Sequence, residues 1–403
     1  MNPQLLQKSD NNENVFRVTL PYDFLMPNIN HDEPALKRKV IFWGTCFGQL
    51  PKDLDIERYV TMVNKCLDYV RQECRGFELY HKPHPAEKDE FKLLNLESFT
   101  LLSDPAVGEV FLWKNWDQIA YSFSVMSNAT ISAYDFGINS YVFYKLFDSV
   151  LGRASFESCE WFFQSMPEDF FIKDLGQGLK GNRSLLGKDD FLENKMKNML
   201  NNNKEGRIWF IIVEPALITA MVSLVSLIKQ LDPARKTGLI ISKQKRWRAV
   251  SIDEFKKYFD IIAVFPKISY TLKLSRLFEA IKTALQIRRF DIKPEDIFMG
   301  LSHNSLVENC FISYFSENKK IAFFSDIYFD MMYNLRYATF FANSDFKTKL
   351  ASKLWGLVFE PLLGLYRTIY LQYGDGRVLN ITRYRKPMDR IYDEIYLAHL
   401  QRG

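Results

Sequence analysis

The sequence predicts an α/β protein with two Rossmann-like domains that face a central cleft. The chain has 403 residues, which is enough for two domains of ordinary size. Short apolar runs alternate with segments of helical periodicity, as in doubly wound parallel sheets. This alternation occurs twice, on either side of a polar stretch rich in Gly, Asn and Lys. We therefore expect domains at residues 1–172 and 207–403, joined by a linker at 173–206 that carries one short helix.

The elements of the first domain follow from short apolar runs and from helical spacing. Residues 56–71 place Ile56, Val60, Val63, Leu67 and Val70 at helical intervals. The other predicted elements are strands at 39–44, 77–80, 118–123 and 140–144 and a helix at 129–136.

The second domain repeats the pattern. Its predicted strands are 207–213, 237–242, 261–265, 296–300 and 320–324, with helices ending at Leu231 and spanning 273–287. Residues 346–403 begin with a helical pattern and contain a Tyr-Gly-Asp-Gly turn at 373–376, and the sequence assigns them no role.

Composition and charge exclude several classes of protein. The chain is 47% hydrophobic and 25% charged, which is typical of a folded domain. Its net charge of +5 is spread along the sequence, so we expect no nucleic-acid partner, whereas an anionic membrane surface or substrate suits it. The five scattered cysteines lack C-x-x-C spacing and predict reduced thiols. The first 16 residues contain no apolar run, so we expect no signal peptide.

The longest apolar stretch, 208–227, is interrupted by Glu214 and Pro215, so it does not predict a membrane span. We expect a cytoplasmic protein, with at most peripheral contact at the inner face of the cytoplasmic membrane.

Candidate site residues are those that follow predicted strands, because ligands bind at the carboxyl ends of the strands in an open parallel sheet. In the first domain these are Gly44-Thr45, the segment 80–85 and the segment 122–130. In the second domain they are Glu214, 266–267, 302–304 and 325–326.

The segment His-Lys-Pro-His-Pro at 81–85 is stiff, because two prolines hold the backbone extended and remove two N–H donors. Lys82 supplies positive charge, and His84 can donate a hydrogen bond to a phosphate oxygen, where charge develops as a nucleotide leaves. The alternative is a rigid turn whose histidine caps a carbonyl.

Small polar residues at the end of the next strand enter a predicted helix. They are Ser124, Ser127, Asn128 and Thr130. Hydroxyl groups beside a helix N-terminus can form an anion site, although for this segment alone an ordinary N-cap at Ser127 or Asn128 is the favoured explanation. Gly44 and Thr45 can bring backbone amides close to the same phosphate.

A strand ending in Lys82-Pro83-His84-Pro85, followed by a Ser/Thr-rich segment and a strand of pattern G-I-x-x-Y-x-F-Y, resembles the donor half of bacterial CMP-sugar glycosyltransferases of the GT-B type. This family includes sialyltransferases, polysialyltransferases and Kdo transferases. The resemblance covers residues 39–148 and implies that the HP histidine and the Ser/Thr segment hold the CMP phosphate and cytidine. The implied residues are His84, Pro85, Ser124, Ser127 and Thr130.

The same resemblance implies an acidic motif after a strand of the acceptor half. Asp326 lies at that place, with Ser325 where the family has its first acid and Ile327 where it has glycine. Asp326 is then the catalytic base of an inverting enzyme or the nucleophile of a retaining one. Its alternative is a helix N-cap.

Two further candidates follow from position alone. Glu214 ends the first strand of the second domain beside Pro215, and it is a candidate base or acceptor ligand, or else it only adds charge to a helix start. His303 follows another strand and is a candidate acid or phosphate donor, or else a capped surface histidine.

The resemblance implies transfer of Kdo or sialic acid from its CMP ester to a lipid-linked glycan of lipopolysaccharide or capsule. The donor half comes first here, so the two halves are permuted or the chain adjoins other transferase modules. We expect no cofactor, because the CMP-sugar is a substrate, and no metal, because no D-x-D motif stands at a predicted strand end. The alternatives are a CDP-glycerol-type teichoic acid transferase and a non-catalytic nucleotide- or glycan-binding module of a larger transferase.

Overall fold

Strands and helices alternate along the chain, and the prediction of an α/β protein with parallel sheets is confirmed. The computed structural model describes residues 14–22, 38–45, 54–84, 90–164, 166–182, 189–243, 247, 250–266, 274–301, 305–325, 366–372, 378–384 and 392–398. The strands are β1 (Val15–Val18), β2 (Lys39–Trp43), β3 (Glu78–Lys82), β4 (Phe99–Leu101), β5 (Ile119–Ser124), β6 (Asn139–Val142), β7 (Ile208–Ile212), β8 (Thr237–Lys243), β9 (Ile261–Pro266), β10 (Ile297–Gly300), β11 (Lys319–Ser325), β12 (Tyr366–Gln372), β13 (Val378–Tyr384) and β14 (Glu394–Ala398). The α-helices are α1 (Ile56–Glu73), α2 (Gly108–Asn115), α3 (Asn128–Asp135), α4 (Asp148–Leu151), α5 (Arg153–Phe162), α6 (Asp190–Asn202), α7 (Ile218–Leu231), α8 (Leu274–Arg288) and α9 (Leu306–Tyr314).

The chain divides into two compact units. Residues 21–188 and 218–223 form the first unit, and residues 189–217 and 224–399 form most of the second, together with β1. The boundary therefore differs from the predicted 1–172, 173–206 and 207–403.

The first unit contains a five-stranded parallel sheet in the order β4-β3-β2-β5-β6. Counted within the unit, this is the order third, second, first, fourth, fifth, which is that of the Rossmann fold. The order reverses between β2 and β5. In such sheets the crevice at that reversal, at the carboxyl ends of the strands, is where ligands bind.

Each face of this sheet packs against a hydrophobic core. Successive side chains of β2 point to opposite faces and therefore join different cores. Val40 and Phe42 join the core on the α1 side, whereas Ile41 and Trp43 join the core that includes residues of α2 and α3. Helix α1 begins after Asp55, whose carboxylate accepts a hydrogen bond from the amide of Arg58 at 3.0 Å.

Residues 173–182 are bonded into the first unit, although the sequence placed them in a linker. The side-chain amide of Asn182 accepts from the amide of Ser140 at 2.9 Å and donates to the carbonyl of Ser140 at 2.6 Å. It thereby satisfies the outer edge of β6, which would otherwise leave backbone groups unpaired. Nearby, the hydroxyl of Tyr69 donates to the carbonyl of Gln177.

The second unit contains a seven-stranded parallel sheet in the order β9-β8-β7-β10-β11-β14-β1. The chain order again reverses between β7 and β10, as in a doubly wound sheet. Strand β1 pairs with β14, from Val15 opposite Ile395 to Val18 opposite Ala398, so this part of the predicted first domain belongs to the second sheet. Strands β12 and β13 pair antiparallel on both sides of the predicted turn at 373–376, which lies outside the described residues.

A buried polar cluster holds the amino-terminal edge of this second sheet together. The Asp296 carboxylate is fully buried and accepts hydrogen bonds from the guanidinium of Arg207, the indole of Trp209 at 3.0 Å and the amide of Lys293 at 3.0 Å. These donors stabilise the charged form and keep the pKa of Asp296 below its usual value, even though burial opposes this. The Asn318 side chain also donates to the carbonyl of Asp296, at 2.9 Å.

We predict that Gly238→Ala destabilises the second unit by about 1–3 kcal/mol, because the new methyl group overpacks the core. A Cβ at this position would lie 2.2 Å from a ring carbon of Trp209, which is 1% exposed and tied to Asp296. Urea denaturation gives the free energy of unfolding. Gly178→Ala is the control, since its Cβ would lie 3.5 Å from a Glu73 oxygen, which is an ordinary contact. Equal stability of the two variants would contradict the prediction.

Candidate functional site

The three central strands of the first unit end at the same level. Trp43, the last residue of β2, is paired with Lys82 of β3 on one side and with Ser124 of β5 on the other. Neighbouring strands are about 4.8 Å apart, so the ends of β3 and β5 are roughly 10 Å apart with β2 between them. The turns that follow these strands therefore lie at one edge of the sheet, at its switch point.

At the end of β3, His84 is partly accessible, whereas Lys82 is buried. Lys82 is 3% exposed, and its ammonium group donates to the carbonyl of Asp104 at 2.6 Å and lies over the ring of Phe111. Burial lowers the pKa of Lys82. His84 is half-buried at the end of the strand. Pro85 lies outside the described residues.

At the end of β2, the structure describes the chain as far as Thr45. The amide of Gly44 donates to the carbonyl of Lys82 at 2.8 Å, so this amide extends the strand pairing instead of pointing toward a ligand. Thr45 follows it and is half-buried. Thr45 is therefore the candidate donor at the end of β2.

The polar residues after β5 fall into two groups. Ser124 and Thr130 are fully buried, and the hydroxyl of Thr130 donates to that of Ser124 at 2.8 Å, which joins the end of β5 to the first turn of α3. Ser127 is the N-cap of α3 and accepts a hydrogen bond from the amide of Ala129 at 3.3 Å. Asn128 is exposed at the first position of the helix. The first pair shapes the turn, and the second pair lies at its surface.

Glu109 is a residue of this site that the sequence analysis missed. It lies in the first turn of α2, is 8% exposed and accepts a hydrogen bond from the side-chain amide of Asn128 at 2.9 Å. The start of α2 contacts the start of α3, since a Cβ at Gly108 would lie 2.5 Å from that of Ala129. A glutamate one residue after a glycine gives no local signal of this contact between two helix starts.

His81 is a second residue that the sequence analysis did not single out. Its side chain is fully buried and stacks on Phe42 with ring centroids 6.0 Å apart, and neither ring nitrogen has a hydrogen-bond partner among the residues that the structure describes. Burial lowers the pKa of His81 to about 4. The first histidine of the His-Lys-Pro-His-Pro segment is thus a core residue, and only the second reaches the edge of the site.

In the second unit, Glu214 is the candidate that the structure describes. It lies two residues after β7, at the switch point of the sheet, and its carbonyl accepts from the amide of Leu217 in the helical turn that begins at Pro215. Its side chain is half-buried. His303 and Asp326 lie outside the described residues; His303 is two residues after Leu301, and Asp326 directly follows Ser325, where β11 ends.

Comparison of the chain with protein-family models, with curated proteins and with solved structures found no match. Among the described residues, no three His, Cys, Asp or Glu side chains are grouped so that they could hold a metal ion. Cys66, Cys74, Cys159 and Cys310 are buried and unpaired. None of the described helices is long and apolar enough to cross a membrane.

We predict that the stability of the first unit decreases as the pH falls from 7 toward 4, and that His81→Phe removes this loss. The unfolded chain binds a proton near the ordinary histidine pKa of 6.5, whereas folded His81 binds one only near 4. Lowering the pH through this window therefore favours the unfolded state, by up to about 3 kcal/mol.

Urea denaturation of wild type and His81→Phe at several pH values measures the effect, and the difference between the two proteins should grow as the pH falls. The phenyl ring keeps the stacking on Phe42 and leaves no unpaired nitrogen. A difference that is constant with pH would contradict the prediction.

Proposed function

We propose that this protein is a metal-independent glycosyltransferase that transfers a 3-deoxy-ulosonic acid, Kdo or sialic acid, from its CMP ester to a bacterial surface glycan. The first unit would bind the donor nucleotide, and the second would bind the acceptor and supply the catalytic carboxylate. The proposal includes the GT-B-type pairing of the two units and a lipid-linked acceptor.

One observation carries the proposal. His84, Thr45 and the Ser127-Asn128 turn follow three adjacent parallel strands that end at the same level, at the switch point of a Rossmann-like sheet. Nucleotides bind at this place in doubly wound sheets. The residues that carry the resemblance to CMP-sugar transferases therefore belong to one edge of one sheet.

The polarity of this edge suits a phosphate ester. The N-terminus of α3 offers amide donors and the positive end of the helix dipole, and Ser127, Thr45 and His84 add side-chain donors. Because Lys82 is buried against the carbonyl of Asp104, it stiffens the site rather than pairing with phosphate. Donors of this kind would stabilise the charge that develops on CMP as it leaves.

The catalytic carboxylate would come from the second unit. Asp326 is proposed from the resemblance, and Glu214 from its place at the switch point of the second sheet. In an inverting reaction the carboxylate takes the proton of the acceptor hydroxyl while that oxygen attacks the anomeric carbon and CMP departs. In a retaining reaction the carboxylate itself attacks the anomeric carbon as CMP departs, and the acceptor oxygen then displaces the carboxylate and loses its proton.

We predict that CMP and its sugar esters raise the melting temperature and that His84→Ala abolishes the rise, since a ligand that binds only the folded state stabilises it. A thermal-shift panel with CMP, CMP-sialic acid, CMP-Kdo, CDP-glycerol, UDP and GDP measures this. Gln118→Ala is the matched control, because Gln118 lies just before β5, at the opposite end of the strand that leads into Ser127. It should keep the full shift.

Two outcomes would contradict the proposal. A shift with CDP-glycerol but with neither CMP-sugar would indicate a teichoic-acid type of transferase. CMP binding without hydrolysis or transfer to any acceptor would indicate a non-catalytic module.

We predict that Asp326→Asn abolishes transfer and keeps the CMP thermal shift, because the carboxylate acts on the sugar and the acceptor rather than on the nucleotide. Glu214→Gln is the parallel variant and identifies which carboxylate is essential. Mass spectrometry of wild type incubated with donor distinguishes the two stereochemical courses, since a glycosyl adduct absent from Asp326→Asn indicates double displacement. Full activity of both variants would contradict this assignment.

A further inference from the structure

The outward face of α8 in the second unit carries large apolar side chains in solvent. Phe278 is 70% exposed and Leu285 is 48% exposed. They are seven residues apart, so they lie on the same face of the helix, about 10 Å from each other along its axis. The opposite face is buried through Ala280, Ala284 and Ile287. Among the described residues, packing of α8 on its own unit therefore leaves this face in solvent.

Basic side chains are interspersed with the two apolar ones. Lys282 is exposed between Phe278 and Leu285, four residues from the first and three from the second. Arg289 is exposed in the turn directly after the helix, four residues beyond Leu285. The acid of this helix, Glu279, is paired with Arg276 at 2.6 Å. We call Phe278, Lys282, Leu285 and Arg289 the α8 stripe, and its net charge is +2 by these side chains.

The dimensions and charge of the α8 stripe decide among possible occupants. A second copy or another protein needs roughly 800 Å² of surface per partner, with an apolar centre depleted in lysine. Two apolar side chains separated by a lysine do not form such a centre. In contrast, an anionic bilayer can bind a helix whose apolar side chains insert shallowly while its lysine and arginine side chains keep their charged groups in water. The charge of the stripe is complementary to phospholipid headgroups.

We propose that the α8 stripe docks the protein on anionic phospholipid membranes, with Phe278 and Leu285 inserted at the headgroup boundary and Lys282 and Arg289 bound to lipid phosphates. This docking does not depend on the proposed transfer reaction, because it uses residues outside both switch points. It would give a peripheral protein access to a substrate that is held in a membrane.

Co-sedimentation with vesicles tests this directly on the full chain. We expect binding to phosphatidylcholine vesicles that contain phosphatidylglycerol, much weaker binding to phosphatidylcholine alone, and a decrease at high salt. Lys282→Glu should weaken binding by about tenfold or more, since each basic group near the surface contributes on the order of 1 kcal/mol, about fivefold, and the reversal counts twice. Phe278→Ser with Leu285→Ser should weaken it by a similar factor or more.

The matched controls are Leu93→Ser, whose side chain is 54% exposed in the first unit, and Lys197→Glu on the exposed side of α6. Both should bind vesicles as wild type does. Because all substituted side chains are exposed, circular dichroism and melting temperature should not change. Equal binding to neutral and anionic vesicles, or unchanged binding of the α8 variants, would overturn the proposal. A dimer in solution that Phe278→Ser dissociates would instead assign the face to a second copy.

Discussion

The structure of the first unit depends on the register of β2 between β3 and β5. Two polar contacts at the end of β2 hold this register: the indole of Trp43 donates to the hydroxyl of Ser122 at 2.8 Å, and the amide of Gly44 donates to the carbonyl of Lys82 at 2.8 Å. Both bonds are made at the carboxyl end of the strand. A shift of one residue would break them and would exchange the side chains between the two faces of the sheet. The level ends of three strands, and thus the candidate site, follow from this register.

Buried, hydrogen-bonded polar groups hold each sheet together, whereas the polar side chains that remain accessible in the first unit follow its strand ends. In the second unit, Asp296 and Asn318 bind several donors and carbonyls where β10 and β11 begin. In the first unit, the half-buried or exposed polar residues Thr45, His84 and Asn128 follow the strand ends. Groups that are fully satisfied inside the protein stabilise the fold and are not available to a ligand. Accessible side chains at the carboxyl edge of the sheet can therefore be substituted without destabilising the sheet.

The positions of β2, β3 and β5 to β11 could be predicted, mostly from short apolar runs, whereas β1, β4 and β12 to β14 were not predicted. In helix α1, Val63, Leu67 and Val70 are buried as their spacing predicts. Ile56, at the first position of the helix, is 39% exposed, and the buried face also includes Tyr59 and Cys66. The pairing of β1 with β14 joins residues far apart in sequence, and no local signal encodes it. The position of His84 was predictable because it directly follows a strand. The burial of Lys82 was not, because it depends on a contact with the distant Asp104.

That burial also bears on the type of donor. With Lys82 bonded to the carbonyl of Asp104, the described residues at the switch point offer mainly neutral donors and the positive end of α3. A helix N-terminus is equivalent to about half a positive charge. Such a site balances the single charge of a phosphodiester better than the greater charge of a diphosphate. The CMP ester of the proposed reaction carries one such phosphodiester between cytidine and sugar, which is consistent with the charge of this edge.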